Sequence, residues 1–530
     1  MLNIKENYFI SFLRDYWIIL LISSLNFFIL VIPHFLGRYS YGNDELCLIA
    51  CSKRLAWGHV GFPPFSVFLL SIIRNFFGDS MLAIRFVPAL ASASLVFLTG
   101  IITKRLGGKK FAQVLASYTA SIIPLYLLIH SFYTSNAFES LLLTCCTLLL
   151  IIIIQDEKPK HWLLLGLIMG IGLMNKHTFV VYGFSILIGM IFTPLRKYFF
   201  KKNFWLCILI VIIIMLPNVI WEIQNDFVSL KFYASIHQYS TVATPFLALI
   251  LIPIIAVSLN PMVFPICILG IVFLFFKTEG QPYRVLGWMI LISSAFLIFM
   301  NISRIDRIAP VYPILLSSGS IMIDMWINKT NKMWLKPLFI SMLIIWGGFS
   351  YLISLPILPP KVLHEYVKII KLRSDQYTES KELLNPIIHT YSTILFANRL
   401  GWESMVKDVA IIYNRLPKAD KDKAVILASN YGEAGAIELL GSKYNLPKVI
   451  SVDSDYRLWG YGNTTGELII TLGYDRNDLD LFFETVEFAG IVHACDYCLG
   501  YKKNPPIYVC RNLKIPMFDF FYFMIFPRKI

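Results

Sequence analysis

The chain has 530 residues, of which 57% are hydrophobic and 15% charged, whereas soluble domains average about 45–50% and about 25%. Together with repeated apolar runs near the ~20 residues that cross a bilayer, this excludes an ordinary soluble protein and indicates a polytopic membrane protein. The net charge of +14 is then read as a topology signal and not as a nucleic-acid footprint.

The first apolar run, Trp17 to Leu36, is too long for a signal-peptide core and lacks a small-residue cleavage site, so it is read as a span. Eleven spans are predicted, at 16–36, 81–101, 112–130, 139–155, 161–175, 177–194, 204–220, 262–276, 285–301, 308–326 and 333–356. With a cytoplasmic N-terminus, the inside loops 104–110, 155–161, 195–202, 277–284 and 328–336 hold 4, 2, 4, 2 and 3 Lys/Arg. That is the positive-inside pattern. A further apolar run at 245–259 would invert every later loop if it crossed, and would put the basic 328–336 loop outside. It is therefore read as an interfacial or re-entrant segment on the outer side.

Between the first two spans lies an outer loop, about 37–80, containing YGNDELCLIACSKRLAWGHVGFPP at 41–64. Cations on the outer side run against the topology rule, and Lys53, Arg54, Arg74, Arg85, Lys176, Lys231, Arg304 and Arg307 all fall there. So do the acids Asp44, Glu45 and Glu139. Ionisable groups at this depth are costly unless paired or solvated, which makes them functional candidates. Several cations with a few carboxylates suit an anionic lipid substrate: the cations hold a phosphate and a carboxylate takes a proton from a nucleophile. Each has a plainer reading too. Lys53 and Arg54 can snorkel from an interfacial helix, Arg85 can pair with a headgroup, and Arg304 and Arg307 flank the neutralising Asp306. Lys176, in the tight MNKHT corner between two apolar runs, is the hardest to explain structurally.

After residue 356 a proline-marked linker, LPILPPK, opens a region of ordinary charge density. The division is 1–356 for the membrane domain and 357–530 for an outer α/β domain. AVILASN (424–430), ELIITLG (467–473) and PIYVC (506–510) predict strands, and YGEAGAIELLG (431–441) a loop feeding a helix. Cys145, Cys146, Cys207 and Cys267 fall in spans as small hydrophobes. Cys495, Cys498 and Cys510 lie in the outer domain, where a disulfide is favoured over a metal site. Cys47 and Cys51, four apart on one helix face, are assigned to packing.

The first-loop stretch resembles that of the polyprenyl-phosphate-sugar glycosyltransferases of the GT-C superfamily. These include the protein O-mannosyltransferase type and the bacterial enzymes that modify lipopolysaccharide with aminoarabinose or galacturonic acid. AIRFVPAL (83–90), HSFYTSNAFES (130–140), GIGLMNKHT (170–178), LPNVIWEIQND (216–226) and RIAPVYPILLSSG (307–319) carry the similarity along the chain. ASNYGEAGAIELLG in the outer domain resembles a subset of bacterial members. The resemblance implies a multi-span GT-C membrane fold and inverting transfer of a sugar from a polyprenyl-phosphate donor to a hydroxyl acceptor. It also implies the residue roles: Asp44 as base, Glu139 as the second acidic position, and Arg85, Lys176, Arg307 and Arg304 on the donor phosphate. Glu45, His59, Arg54 and Asn136 are supporting. Relatives often carry a basic residue or His where Phe62 precedes Pro63-Pro64 here, and an aromatic where Arg307 stands.

Metal-independent transfer is favoured over a divalent cation gathered by Asp44, Glu45 and Glu139, and no cofactor is expected. The expected partners are the lipid-linked donor, membrane lipid and a glycolipid, glycan or protein acceptor. The expected location is the inner membrane, with site and outer domain on the periplasmic side. The competing readings are a lipid or glycan transporter or flippase and a non-catalytic relative. A transporter commonly shows paired halves and midplane charges, whereas here no half-repeat is visible and the charges sit at outer span ends.

Overall fold

A computed structural model describes residues 2–239, 260–299, 305–371, 396–493, 496–498, 502 and 504–525. The apolar runs form helices because they offer the backbone no other partner in lipid, and intra-helical hydrogen bonds satisfy every peptide group. Among the described residues, six helices are long and apolar enough to cross a membrane, or up to nine if three bent pairs each count as one span. The predicted eleven therefore map onto a less regular set. The predicted span 112–130 is two helices, α5 (Lys110–Ser121) and α6 (Pro124–His130), bent by 58° at the proline that opens the second. The run at 245–259 lies outside the described residues.

The helices of the first part of the membrane domain are α1 (Leu2–Val31), α4 (Met81–Arg105), α7 (Ser135–Asp156), α8 (Pro159–Asn175), α9 (Phe179–Ile191) and α10 (Lys202–Gln224). They are followed by α11 (Val228–Tyr239), α12 (Phe264–Phe276), α13 (Arg284–Phe299), α14 (Tyr312–Thr330) and α15 (Leu335–Ser354). Helices in lipid gain little from burying apolar surface, so close backbone approach matters more. A Cβ on Gly319 of α14 would lie 1.9 Å from the Ile266 carbonyl oxygen of α12, and one on Gly166 of α8 would lie 2.7 Å from that of Cys207 in α10.

Two short helices fill the first outer loop: α2 (Asn43–Ser52) and α3 (Phe65–Phe77). The adjacent acids Asp44 and Glu45 lie in the first turn of α2. Glu45, third in α2, turns back so that its Oε2 accepts the Gly42 N–H at 2.9 Å, satisfying an end donor that the helix itself leaves open.

Beyond α16 (Pro360–Lys371), the outer domain holds a five-stranded sheet of order β2-β1-β3-β5-β4. Strands β1 (Ala424–Ala428) and β3 (Leu468–Leu472) are buried throughout and pair in parallel, as continuous apolar runs do. β5 (Pro506–Leu513) runs antiparallel to β3 and joins the edge strand β4 (Phe483–Ile491). β2 (Val449–Ser451) closes the other edge. Between β1 and β2 runs α19 (Tyr431–Leu440), capped by Asn430, whose side-chain oxygen accepts the Glu433 N–H at 3.0 Å. Two outer-domain helices precede it, α17 (Trp402–Arg415) and α18 (Lys418–Lys421), and α20 (Ser454–Trp459), α21 (Arg476–Phe482) and α22 (Met517–Ile525) follow.

α19 packs directly on α2. A Cβ on Gly435 would sit 2.9 Å from the Leu46 carbonyl oxygen, and one on Gly432 3.1 Å from the Asn43 side chain. The small residues of YGEAG thus bring two backbones together. One hydrophobic core runs unbroken from the membrane helices through Leu46 and Ile49 of α2 into Ala434 and Ile437 of α19.

Candidate active site

A cavity of about 250 Å³ opens where the loop between α1 and α4, the adjoining ends of α7 to α9 and the sheet-bearing domain meet. Asp44, Asn136, Lys176 and Arg307 line it together with Thr178, Tyr233, Tyr431 and Asp453. Asp44 is exposed at the first turn of α2, where the positive end of a helix favours a carboxylate. Its Oδ1 accepts the Tyr431 hydroxyl at 3.1 Å, so the outer domain reaches over the membrane domain to hold this acid. Asp453 accepts the Tyr431 N–H at 3.1 Å, which fixes the tyrosine from behind. The charge of Asp44 first, and then burial, push the Tyr431 phenol well above its ordinary range, so it stays a donor.

Lys176 sits at the end of α8, where the chain leaves the helix in an extended conformation. Its Nζ is 2.7 Å from Glu139 Oε2 and remains on the cavity wall. Glu139, 1% exposed, also accepts the Thr178 hydroxyl. The middle and the last residue of the MNKHT corner are thereby pinned to one carboxylate. Arg307 closes a 3₁₀ turn, Ile305–Arg307, and its carbonyl accepts the Tyr182 hydroxyl. Asn136 donates to Asp306 at 2.6 Å, fastening that turn to α7.

Other residues expected at the site are placed elsewhere. Arg85 does not line the cavity. It is 1% exposed and forms a two-pronged pair with Glu45, Nε to Oε1 at 2.9 Å and Nη2 to Oε2 at 2.6 Å. Glu45 accepts the Tyr133 N–H as well, at 2.8 Å. Burial alone would raise the Glu45 carboxyl, but the Arg85 guanidinium outweighs it and holds the group below its ordinary value. This pair ties α2 to α4 and to the turn before α7, a structural role in place of the expected phosphate contact. Arg54, expected to snorkel or support the site, bonds Glu438 of α19 at 2.9 Å and lies over the Trp459 ring at 4.3 Å. Lys53 is 3.5 Å from the same carboxylate. His59 is buried, stacks on Phe62 and shares a hydrogen bond of 2.9 Å between Nδ1 and Asp455 Oδ1. Arg304 and Cys495 lie outside the described residues.

The three acids named as the alternative cation set point to different partners: Glu45 faces Arg85, and Glu139 faces Lys176. The sequence reading missed Asp453, Tyr233 and Thr178. Thr178 adjoins the MNKHT lysine, and Asp453 follows a strand end, but neither position carries a local pattern that singles it out.

Residues 62–221 match the sequence profile of the dolichyl-phosphate-mannose-protein mannosyltransferase family. The structure is similar to that of ArnT from Cupriavidus metallidurans bound to undecaprenyl phosphate, with a TM-score of 0.55 at 13% identity over 92% of this chain and 97% of that one. Apo ArnT from the same organism gives 0.56 at 12% identity over the same shares. An Archaeoglobus fulgidus oligosaccharyltransferase tethered to an acceptor peptide gives 0.51 at 13% identity, over 87% of this chain and 70% of that one. No curated protein matches the sequence. The protein is thus a multi-pass membrane protein with the fold seen in ArnT, and its residues 62–221 match the dolichyl-phosphate-mannose-protein mannosyltransferase family.

Proposed function

We propose that the protein transfers a sugar from a polyprenyl-phosphate donor to a hydroxyl acceptor, with inversion, at the periplasmic face of the inner membrane. The observation that carries this reading is the single cavity joining Asp44 to Lys176 and Arg307. A carboxylate and two cations lining one cavity match the charge movement of such a transfer. The acceptor O–H gives its proton to Asp44 as its oxygen bonds to the anomeric carbon. The bond from that carbon to the phosphate oxygen breaks, and polyprenyl phosphate leaves with the electron pair. Lys176 and Arg307 stabilise the negative charge gathering on the phosphate, and fixed charges do this without reorganising. Glu139 positions Lys176, while the second oxygen of its carboxylate holds Thr178. The positive-inside loops support the periplasmic side. The transfer needs no metal in this scheme.

The acceptor class is lipid A or core saccharide, another envelope glycan, or a protein hydroxyl. The test is incubation of the purified protein with polyprenyl-phosphate sugars and envelope extracts, with mass spectrometry of both. Sugar-bearing acceptor together with free polyprenyl phosphate is the expected result. Lipid that crosses a bilayer with its sugar bond intact would instead establish a flippase.

A further inference from the structure

Cys47, Cys51 and Asp455 each offer a ligand atom, and the three atoms lie within 4.8 Å of one another, all buried. Two of these residues come from α2 and one from α20, so the cluster spans the seam between the first outer loop and the outer domain. We propose that it binds a thiophilic divalent cation of the zinc class, which clasps α2 to the outer domain.

Four features of the site meet what such an ion requires. Two thiolates and a carboxylate are zinc donors, and a tetrahedral ion with bonds of about 2.3 Å to sulfur sets two sulfurs about 3.8 Å apart. Cysteines four apart on a helix project from one face, so both reach the same ion without a bend in α2. Asp455 is oriented from outside the cluster: His59 Nδ1 stands 2.9 Å from its Oδ1, and the Val60 N–H 3.4 Å from the same oxygen. A histidine–carboxylate contact of this kind is the outer-shell support that fixes metal ligands in place. Cys47 and Ser454 also line the active-site cavity, so an ion has a way in, and the Ser454 hydroxyl is 3.8 Å from the Cys47 sulfur.

Without an ion, Asp455 is compensated by His59 and the Val60 N–H, while towards Cys47 and Cys51 it meets only thiols, which are weak donors. A dication reverses that balance and binds as the thiols release their protons. Cys47 is one helical turn beyond Asp44. The ion would therefore fix the base-bearing helix against the domain that supplies Tyr431. This inference stands apart from the transfer reaction and is tested without it.

The experiment uses the full chain, purified in detergent and stripped with a chelator, then titrated with cobalt and separately with zinc. Cobalt is expected to give a thiolate-to-metal charge-transfer band, and zinc to displace it with a stoichiometry of about one per chain by elemental analysis. Cys47→Ser with Cys51→Ser should abolish the band, and Asp455→Asn should weaken zinc binding. His59→Gln, altering only the outer shell, should lower zinc affinity about 10–100-fold. Cys207→Ala, within the membrane, should leave the band in place. Absence of a band from the wild-type chain overturns the proposal and needs no variant to fold. A band that survives loss of both cysteines, or a Cys47–Cys51 disulfide in the purified protein, overturns it equally.

Discussion

At the scale of single residues, the two adjacent acids of the first loop have opposite fates. Asp44 faces the cavity and Glu45 faces the interior, because neighbours on a helix are about 100° apart. The proposed chemistry therefore predicts different losses. Asp44→Asn keeps size and polarity and removes proton acceptance, so kcat should fall by about 10²–10⁴-fold while donor binding is kept. Steady-state rates with a fixed donor, alongside donor binding measured separately, check this. Lys176→Ala removes a charge-assisted contact of about 1.5–3 kcal/mol, so donor affinity should fall by roughly ten- to a hundredfold. Unchanged donor affinity would remove Lys176 from the phosphate site. Glu45→Gln should act on stability instead. It leaves the buried Arg85 uncompensated, a loss on the order of 3–5 kcal/mol, visible as a lower unfolding temperature. The sign with pH follows from the lowered Glu45 carboxyl. Its contribution is present above the unfolded value near 4.5 and is lost as pH falls through the lower folded value.

At the scale of elements, the contact between α2 and α19 decides where the base sits. It rests on Gly435, since any side chain there meets the Leu46 backbone, which has no rotamer to yield. Gly435→Leu should push the outer domain off α2, with a cost of about 1–3 kcal/mol or more for overpacking. It should also separate Tyr431 from Asp44, so that activity falls further than stability alone explains. Tyr431→Phe separates these effects. The packing is kept and one hydrogen bond to Asp44 is lost, so kcat should drop without a change in unfolding temperature. Parts of this arrangement were legible in the sequence. The run YGEAG announced a helix start after a strand. Its contact with α2 was not legible, because nothing in either segment encodes a partner almost 400 residues away. The same limit explains Arg85. As a lone cation at a span end it reads as a phosphate ligand, and only the fold shows that Glu45 engages it on two sides. The fully buried β1 and β3 were readable as unbroken apolar runs. Edge strand β4 was not, since FETVEFAGI mixes faces and sits half in solvent.

At the scale of the whole molecule, the question is which face carries the cavity. Hydropathy shows where the helices run, and the loop charges set the expectation for the side. The structure adds that the cavity, the first outer loop and the sheet-bearing domain lie together, so one orientation test settles all three. The parity that sets this orientation depends on 245–259 not crossing, a stretch outside the described residues, so an independent measurement has particular value. Lys443 is exposed beside α19, and Lys329 is exposed at the end of α14, in a loop predicted inside. A Lys443→Cys variant in intact cells with a permeable outer membrane should react with a membrane-impermeant maleimide. A Lys329→Cys variant should react only after the inner membrane is opened. The native cysteines set the background, which the unsubstituted chain measures directly. Reaction of both positions from outside would mean that an odd number of crossings had been miscounted between them. Reaction of Lys329→Cys alone would invert the protein and place Asp44, Lys176 and Arg307 in the cytoplasm, where a transfer built for a periplasmic acceptor would have no acceptor to meet.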